Sequence, residues 1–308
     1  MSDHQARGRR NRRSSIRPND TLRPRTDSID REAATSTIAL YAPAGTTGRR
    51  TEHDDDRRFE RQGFGIDTDL SIVIPAYNEQ GRIDATLRGL RAELDSTIGP
   101  DWEIVVSDDG STDETAAIVQ RHLDEDPRIR FVGSPANAGK GAAIVRGFRA
   151  SSSTWVLLMD ADLPVPVSSI AGFLDAGVDV DLVTGSRRLP TSTITTPQPP
   201  LRKAGGRAFL TCVAALGFGG FGDPQCGVKL LRRSATAPVI DEAILTRFAF
   251  DVELLTRARR RGLRIIEHPV SWTHVPGSTL HPIRDAAVAL SDLVRLRRRL
   301  RTVPVPTA

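Results

Sequence analysis

From Asp69 onward, short runs of β-branched and aliphatic residues alternate with amphipathic stretches. The runs at 70–74, 103–107, 129–132, 155–159 and 182–184 read as strands. Between the first two, Ile83, Leu87, Leu90 and Leu94 recur at helical spacing. Between the second and third, Ala116, Val119 and Leu123 do the same behind Ser111 and Asp113, both good N-cap types. Strands that alternate with helices are joined by right-handed crossovers, which predicts an α/β fold: a mostly parallel sheet flanked by helices on both faces. Ligands of such sheets bind beyond the carboxyl ends of the strands. Three polar clusters fall there: 75–79, 108–111 and 160–162.

The pattern stops at both ends of the chain. Residues 1–65 have no apolar periodicity and are rich in Arg, Asp, Ser, Thr and Pro, so they are expected to be a disordered tail. Domain boundaries follow at 66–283 for the folded body and 284–308 for a basic amphipathic helix and tail, with no second domain boundary inside the body. The stretch 190–200 (PTSTITTPQPP) reads as a mobile loop.

Charge follows the same division. The chain of 308 residues has a formal net charge of +5. Residues 1–65 hold 14 Arg against 10 acidic residues, and 284–301 hold six Arg against Asp285 and Asp292, so each end is +4 and the body between them is −3. An acidic body without basic and aromatic interleaving has a poor electrostatic footprint for nucleic acid, so no nucleic-acid partner is expected. The uncharged stretch 208–222 has 15 residues with four glycines, short of the roughly 20 apolar residues that span a bilayer. No secretory signal is visible behind the N-terminal arginines. Two cysteines without CxxC spacing, Cys212 and Cys226, point to a reducing compartment and no structural zinc.

Among the clusters, Asp160-Ala161-Asp162 follows an apolar strand directly. Two carboxylates one residue apart at a turn can face one hard cation, Mg²⁺ or Mn²⁺, which bridges phosphate oxygens. The plainer reading is a pair of solvated turn aspartates. Asp108-Asp109-Gly110-Ser111 ends another strand, where Asp109 can accept from a base or ribose, or can simply cap a helix. Pro75, Tyr77 and Glu79 offer an aromatic face and a carboxylate to a nucleoside, or a helix entry. Lys140 lies in 137–141 (NAGKG), which lacks the spacing and the Ser or Thr of a P-loop but presents N–H groups to a phosphate or forms a tight turn. Arg187 ends a further strand, suited to bidentate phosphate contact or left on the surface.

Taken together, SIVIPAYNE, VVSDDGSTDET, NAGKGAA, LLMDADLPVP, GSR, DPQCGVKLLRR, FAFDVELL and HPVSWTHVPGSTL resemble the family-two glycosyltransferases, in the branch of dolichyl-phosphate glucosyltransferases and polyprenyl-phosphate mannosyltransferases. The resemblance covers roughly residues 69–300. It implies a single-domain GT-A (Rossmann-like) fold. It also implies a nucleoside pocket of Pro75, Tyr77, Glu79 and Asp109, a metal and diphosphate site at Asp160, Ala161 and Asp162, and a phosphate contact at Arg187. Residues 223–229 would form an acceptor-side loop. Asp251 and Glu253 would stand near the acceptor, the alternative being a buried carboxylate pair at a helix start. Relatives commonly carry Lys where this chain has Thr279 after Gly277 and Ser278, and Arg284 is the nearest replacement.

The expected reaction is an inverting, metal-dependent transfer of a hexose from a nucleotide sugar to a polyprenyl phosphate. The closing pattern at 269–272 and 277–278 leans to UDP-glucose, with GDP-mannose as the alternative donor. An acceptor that is already an anionic oxygen needs little deprotonation. Arg295, Arg297, Arg298, Arg299 and Arg301 behind Ala286, Ala289, Leu290 and Leu293 suit peripheral contact with an anionic membrane at its cytoplasmic face, against the plainer reading of a solvated helix. The rival classes are a nucleotidyltransferase, whose Gly-rich basic loop after the first strand is missing, and a non-catalytic membrane or nucleic-acid binding protein.

Overall fold

The computed structural model describes residues 39–41, 69–196, 200–274 and 282–302, all of them within one compact unit, Thr37–Ala308. In chain order the elements are β1 (Ala39–Tyr41), β2 (Leu70–Ala76), α1 (Ile83–Thr97), β3 (Trp102–Asp108), α2 (Thr115–Glu125), β4 (Ile129–Gly133), α3 (Lys140–Ala150), β5 (Trp155–Leu158), α4 (Ile170–Gly177) and β6 (Leu182–Ser186). There follow β7 (Thr193–Thr196), α5 (Pro200–Val213), β8 (Lys229–Arg232), α6 (Arg233–Asp241), α7 (Phe250–Arg260), β9 (Ile265–Pro269), β10 (Ser271–Thr273) and α8 (Pro282–Thr302).

The central sheet has eight strands in the order β1-β9-β6-β8-β5-β2-β3-β4. Strands β5, β2, β3 and β4 are mutually parallel neighbours. Because the chain steps from β2 to β3 and β4 on one side and returns with β5 on the other, the loops after β2 and β5 diverge. That is a topological switch point, and it opens a crevice at the carboxyl ends of these two strands. Period-two alternation along the strands feeds two apolar layers. Ile72, Ile74, Ile104 and Val106 face the layer holding the α1 residues Leu87, Leu90 and Leu94. Val73, Val105, Val156 and Leu158 face Ile144 and Phe148 of α3 and Leu254 and Leu255 of α7.

The second half of the sheet departs from expectation. Strand β8 runs antiparallel to both β5 and β6, and β1 runs antiparallel to β9. The expected single-domain GT-A fold with a mostly parallel sheet is therefore corrected to a Rossmann-like fold with a mixed sheet. The reason is local: the run 228–231 reaches the sheet from a loop rather than through a covering helix, so nothing imposes the crossover that makes neighbours parallel. Within 190–200, read as a loop, Thr193–Thr196 instead forms β7, which pairs in parallel with β10 as a separate two-stranded sheet. Of the tail 1–65, only Ala39–Tyr41 falls among the described residues, as an edge strand on β9. Disorder of the remaining tail residues, and the departure at Gly277–Thr279, lie outside the described residues.

The apolar stripe of the C-terminal helix α8 faces inward. Ala289, Leu293, Leu296 and Leu300 pack on Phe209 and Val213 of α5, on Phe218, and on Leu245, Ala249 and Val252 around the start of α7, forming a third apolar cluster.

Candidate functional site

The turns that follow β2 and β3 are sewn together by side chains. The Asn78 N–H donates to Ser111 Oγ at 2.9 Å, Glu79 N–H to Thr115 Oγ1 at 2.8 Å and Gln80 N–H to Asp113 Oδ2 at 3.2 Å. In the other direction, the Thr112 N–H donates to Asn78 Oδ1 at 2.9 Å and Glu114 N–H to Gln80 Oε1 at 3.1 Å. These bonds occupy backbone donors that would otherwise be orphaned at the entrances of α1 and α2. They leave Tyr77 39% exposed beside the crevice, while Pro75 pairs in register with Ser107.

Asp160 and Asp162 emerge from the turn after β5, and Ala161 between them is buried, its carbonyl accepting from Thr86 Oγ1 of α1 at 2.6 Å. The two carboxylates have different partners. Lys140, the first residue of α3, places its Nζ 2.6 Å from Asp160 Oδ1. Asp162 lies 3.9 Å from the Arg82 guanidinium, which also pairs with Glu79 at 2.7 Å. Burial works to raise the Asp160 carboxyl, but Lys140 and, further off, Lys229 and Arg187 outweigh it and hold the group below the usual carboxylate value. Burial and the neighbouring Asp160 charge push Asp162 up. Burial likewise raises Glu79, with Asp162 and Asp160 adding to it and Arg82 offsetting part. Glu79, Asp160 and Asp162 thus form a half-buried acidic group with more negative charge than its cations neutralise.

Four further candidates have partners of their own. Asp109 is buried, and its carboxylate accepts the N–H groups of Ala138 at 3.1 Å and Gly139 at 2.6 Å, with Arg146 at 3.4 Å. It therefore shapes the turn that delivers Lys140. Gly139 of that turn has φ +109°, and a Cβ there would sit 2.9 Å from Arg247 Cγ, so both conformation and space call for glycine. Glu253 is fully buried on α7 and accepts the N–H groups of Ile244 and Leu245 and the Arg257 Nε–H at 2.7 Å, which fixes the loop before α7. Asp251 accepts from Lys229 Nζ at 2.6 Å. Arg187 grips Asp223 with two bonds of 2.6 and 2.7 Å and lies over the Trp272 ring of β10 at 5.5 Å. Arg284 is exposed at the start of α8.

Sequence reading misses one member of the site and gives another, Lys229, only as the end of an acceptor-side loop. Arg82 stands three residues after Glu79 in a helix entry, and Lys229 is a lone cation in the apolar run 228–231. That second feature is the one signal that could have marked it. Among the described residues no group of three or more His, Cys, Asp or Glu side chains is arranged to hold a metal. Two carboxylates fit a cation all the same, provided its other oxygens come from substrate phosphate and water, as Mg²⁺ commonly arranges. The surplus of negative charge at Asp162 is what such an ion would relieve.

Comparison with known proteins agrees with this geometry. The chain is 33% identical over 243 residues to dolichyl-phosphate beta-glucosyltransferase of Dictyostelium discoideum, covering 75% of this chain and 74% of that protein. It is 32% identical over 264 residues to the Saccharomyces cerevisiae protein of the same name, covering 80% and 76%. In fold it is similar to glucosyl-3-phosphoglycerate synthase from Mycobacterium tuberculosis in complex with UDP, with a TM-score of 0.56 and 20% identity over 80% of this chain and 87% of that one. It is also similar to the mannosyltransferase PcManGT from Pyrobaculum calidifontis in complex with GDP-Man and Mn²⁺, with a TM-score of 0.53 and 20% identity over 77% and 66%. The profile of Glycosyl transferase family 2 matches residues 71–236, from the first crevice strand through β8, and the chain belongs to that family.

Proposed function

We propose that this glycosyltransferase moves glucose from UDP-glucose to a polyprenyl or dolichyl phosphate, inverting the anomeric centre in one displacement. The observation that carries this reading is the meeting of Glu79, Asp160 and Asp162 with Lys140, Arg82 and Arg187 at the switch point between β2 and β5. The relatives that share a third of its residues are named as dolichyl-phosphate beta-glucosyltransferases, which supports both the glucosyl donor and the lipid phosphate.

The chain's own residues divide the work. Tyr77 gives the base an exposed aromatic face. Asp160 and Asp162 would hold a Mg²⁺ or Mn²⁺ ion, which when bound neutralises charge on the departing diphosphate. Lys140, held protonated by the neighbouring Asp160 and Asp251 carboxylates against the effect of burial, keeps a fixed positive charge beside that same group. Arg187, oriented by Asp223, adds a second cation on the acceptor side, where the phosphate oxygen attacks as an anion and needs no general base. Asp251 and Glu253 then act through the parts they hold.

Among the described residues no helix is long and apolar enough to cross a membrane. The lipid acceptor is met through peripheral contact by the exposed Arg295, Arg298, Arg299 and Arg301 of α8 and by Lys203 and Arg207 on α5.

The test is an assay of UDP-glucose and GDP-mannose against a polyprenyl phosphate, with Mg²⁺, with Mn²⁺ and with chelator. Glucosyl lipid that forms only with the divalent ion is expected. Turnover of GDP-mannose alone would reverse the donor assignment, and undiminished turnover in chelator would remove the cation.

A further inference from the structure

Lys229 is among the largest fully buried side chains of the protein, at 0% exposure, an uncommon place for an ammonium group. It opens β8 and pairs in register with Leu158, two residues before Asp160 on the neighbouring strand. Its Nζ donates to Asp251 Oδ1 and to the Cys226 carbonyl, each at 2.6 Å. The second bond ties down the loop that enters β8. The next residue in that loop, Gly227, lies so close to Asp160 that a Cβ would be 2.6 Å from its Cγ. The backbone at 227 therefore forms one wall of the place where Asp160 sits, and Lys229 fixes that wall. Asp251 supplies the countercharge that allows the cation to stay buried.

We infer that the buried Lys229–Asp251 pair positions Asp160 for cation binding, by holding Cys226–Gly227 against its carboxylate. This rests on the cation reading of Asp160 and Asp162 given above. It assigns Asp251 to positioning, through Lys229, with no contact to the acceptor. Groups behind metal ligands that fix their orientation commonly change metal affinity about 10- to 100-fold when removed.

The experiment measures Mn²⁺ uptake by the full chain in the presence of UDP, by electron paramagnetic resonance of free Mn²⁺, alongside thermal denaturation. Three variants are compared with wild type. Lys229→Met/Asp251→Leu removes both charges together, Asp251→Asn keeps the shape while weakening the pair, and Gly227→Ala crowds Asp160 while leaving the pair intact. The expected result is an apparent Kd for Mn²⁺ raised about 10- to 100-fold in the double variant and in Gly227→Ala, with a smaller rise in Asp251→Asn. A pair that merely supports the fold would lower the melting temperature and leave that Kd alone. A folded double variant with a Kd within about twofold of wild type overturns the inference while the cation reading stands. If the double variant does not fold, unchanged Kd values in both Asp251→Asn and Gly227→Ala overturn it equally. Wild-type protein that takes up no Mn²⁺ with UDP present removes the cation reading and this inference with it.

Discussion

Asp160 and Asp162 are one residue apart, yet they stand in opposite electrostatic situations. Asp160 has Lys140 against it and is held ionised, whereas Asp162 is pushed up by burial and by Asp160 itself. Either carboxylate replaced by alanine should cost about 3 kcal/mol of transition-state stabilisation, read as a 100-fold or larger fall in kcat/KM for sugar transfer. The two differ in what they do to the unliganded fold. A carboxyl raised in the native state favours the fold only below its unfolded value of about 3.9 and loses that advantage as pH rises through its native value. Asp162→Asn should therefore melt higher than wild type at pH 7, and the gap should close as the pH is lowered past that range. Thermal melts without metal across a pH series measure this, and a lower melting temperature at pH 7 would contradict it.

At this scale the sequence shows residue type and spacing, and so it marks the acidic couple at a strand end. It does not show whether a carboxylate's lone pairs are already taken. Asp109 and Glu253 look as available in the sequence as Asp160 does, yet each accepts backbone N–H groups from another segment, Asp109 from the turn before α3 and Glu253 from the loop eight and nine residues before it. Those partners are 29 and 30 residues away for Asp109, a separation that no local motif encodes.

Among the elements, α8 has the clearest division of labour. Its stripe of Ala289, Leu293, Leu296 and Leu300 completes a core with α5 and α7, and its basic residues face outward. Leu293 is fully buried, so Leu293→Ala should destabilise the protein by about 3 kcal/mol, measured as a lower denaturation midpoint in urea. Charge reversal at the exposed Arg298, Arg299 and Arg301 should leave that midpoint nearly unchanged. It should abolish flotation with vesicles containing anionic lipid, at about 1 kcal/mol for each basic residue near the headgroups. Persistent flotation of the reversed protein would place the membrane contact on another surface. Helical period alone is legible in this segment. An apolar stripe has the same spacing whether its partner is lipid or protein, and the partner here is assembled from α5 and α7, far away in sequence.

For the whole molecule, the crevice follows from strand order: β5 returns beside β2 after β3 and β4 have been laid down on the other side. The first four of the five runs foretell that half of the sheet, because each of these strands is followed by a helix and the chain crosses over to a parallel strand. The other half is less legible. Strand β8 carries a buried lysine where an apolar residue is expected, β9 includes a glutamate, a histidine and a proline, and β7 lies in a Pro- and Thr-rich segment. In each case long-range pairing overrides a weak local pattern.

The stitching between 78–80 and 111–115 has a practical consequence for exchanging segments among enzymes of this family. The two turns satisfy one another's amides, so a chimera that imports one of them inherits five mismatched bonds at the rim of the crevice. The transplantable cassette is the pair, moved together.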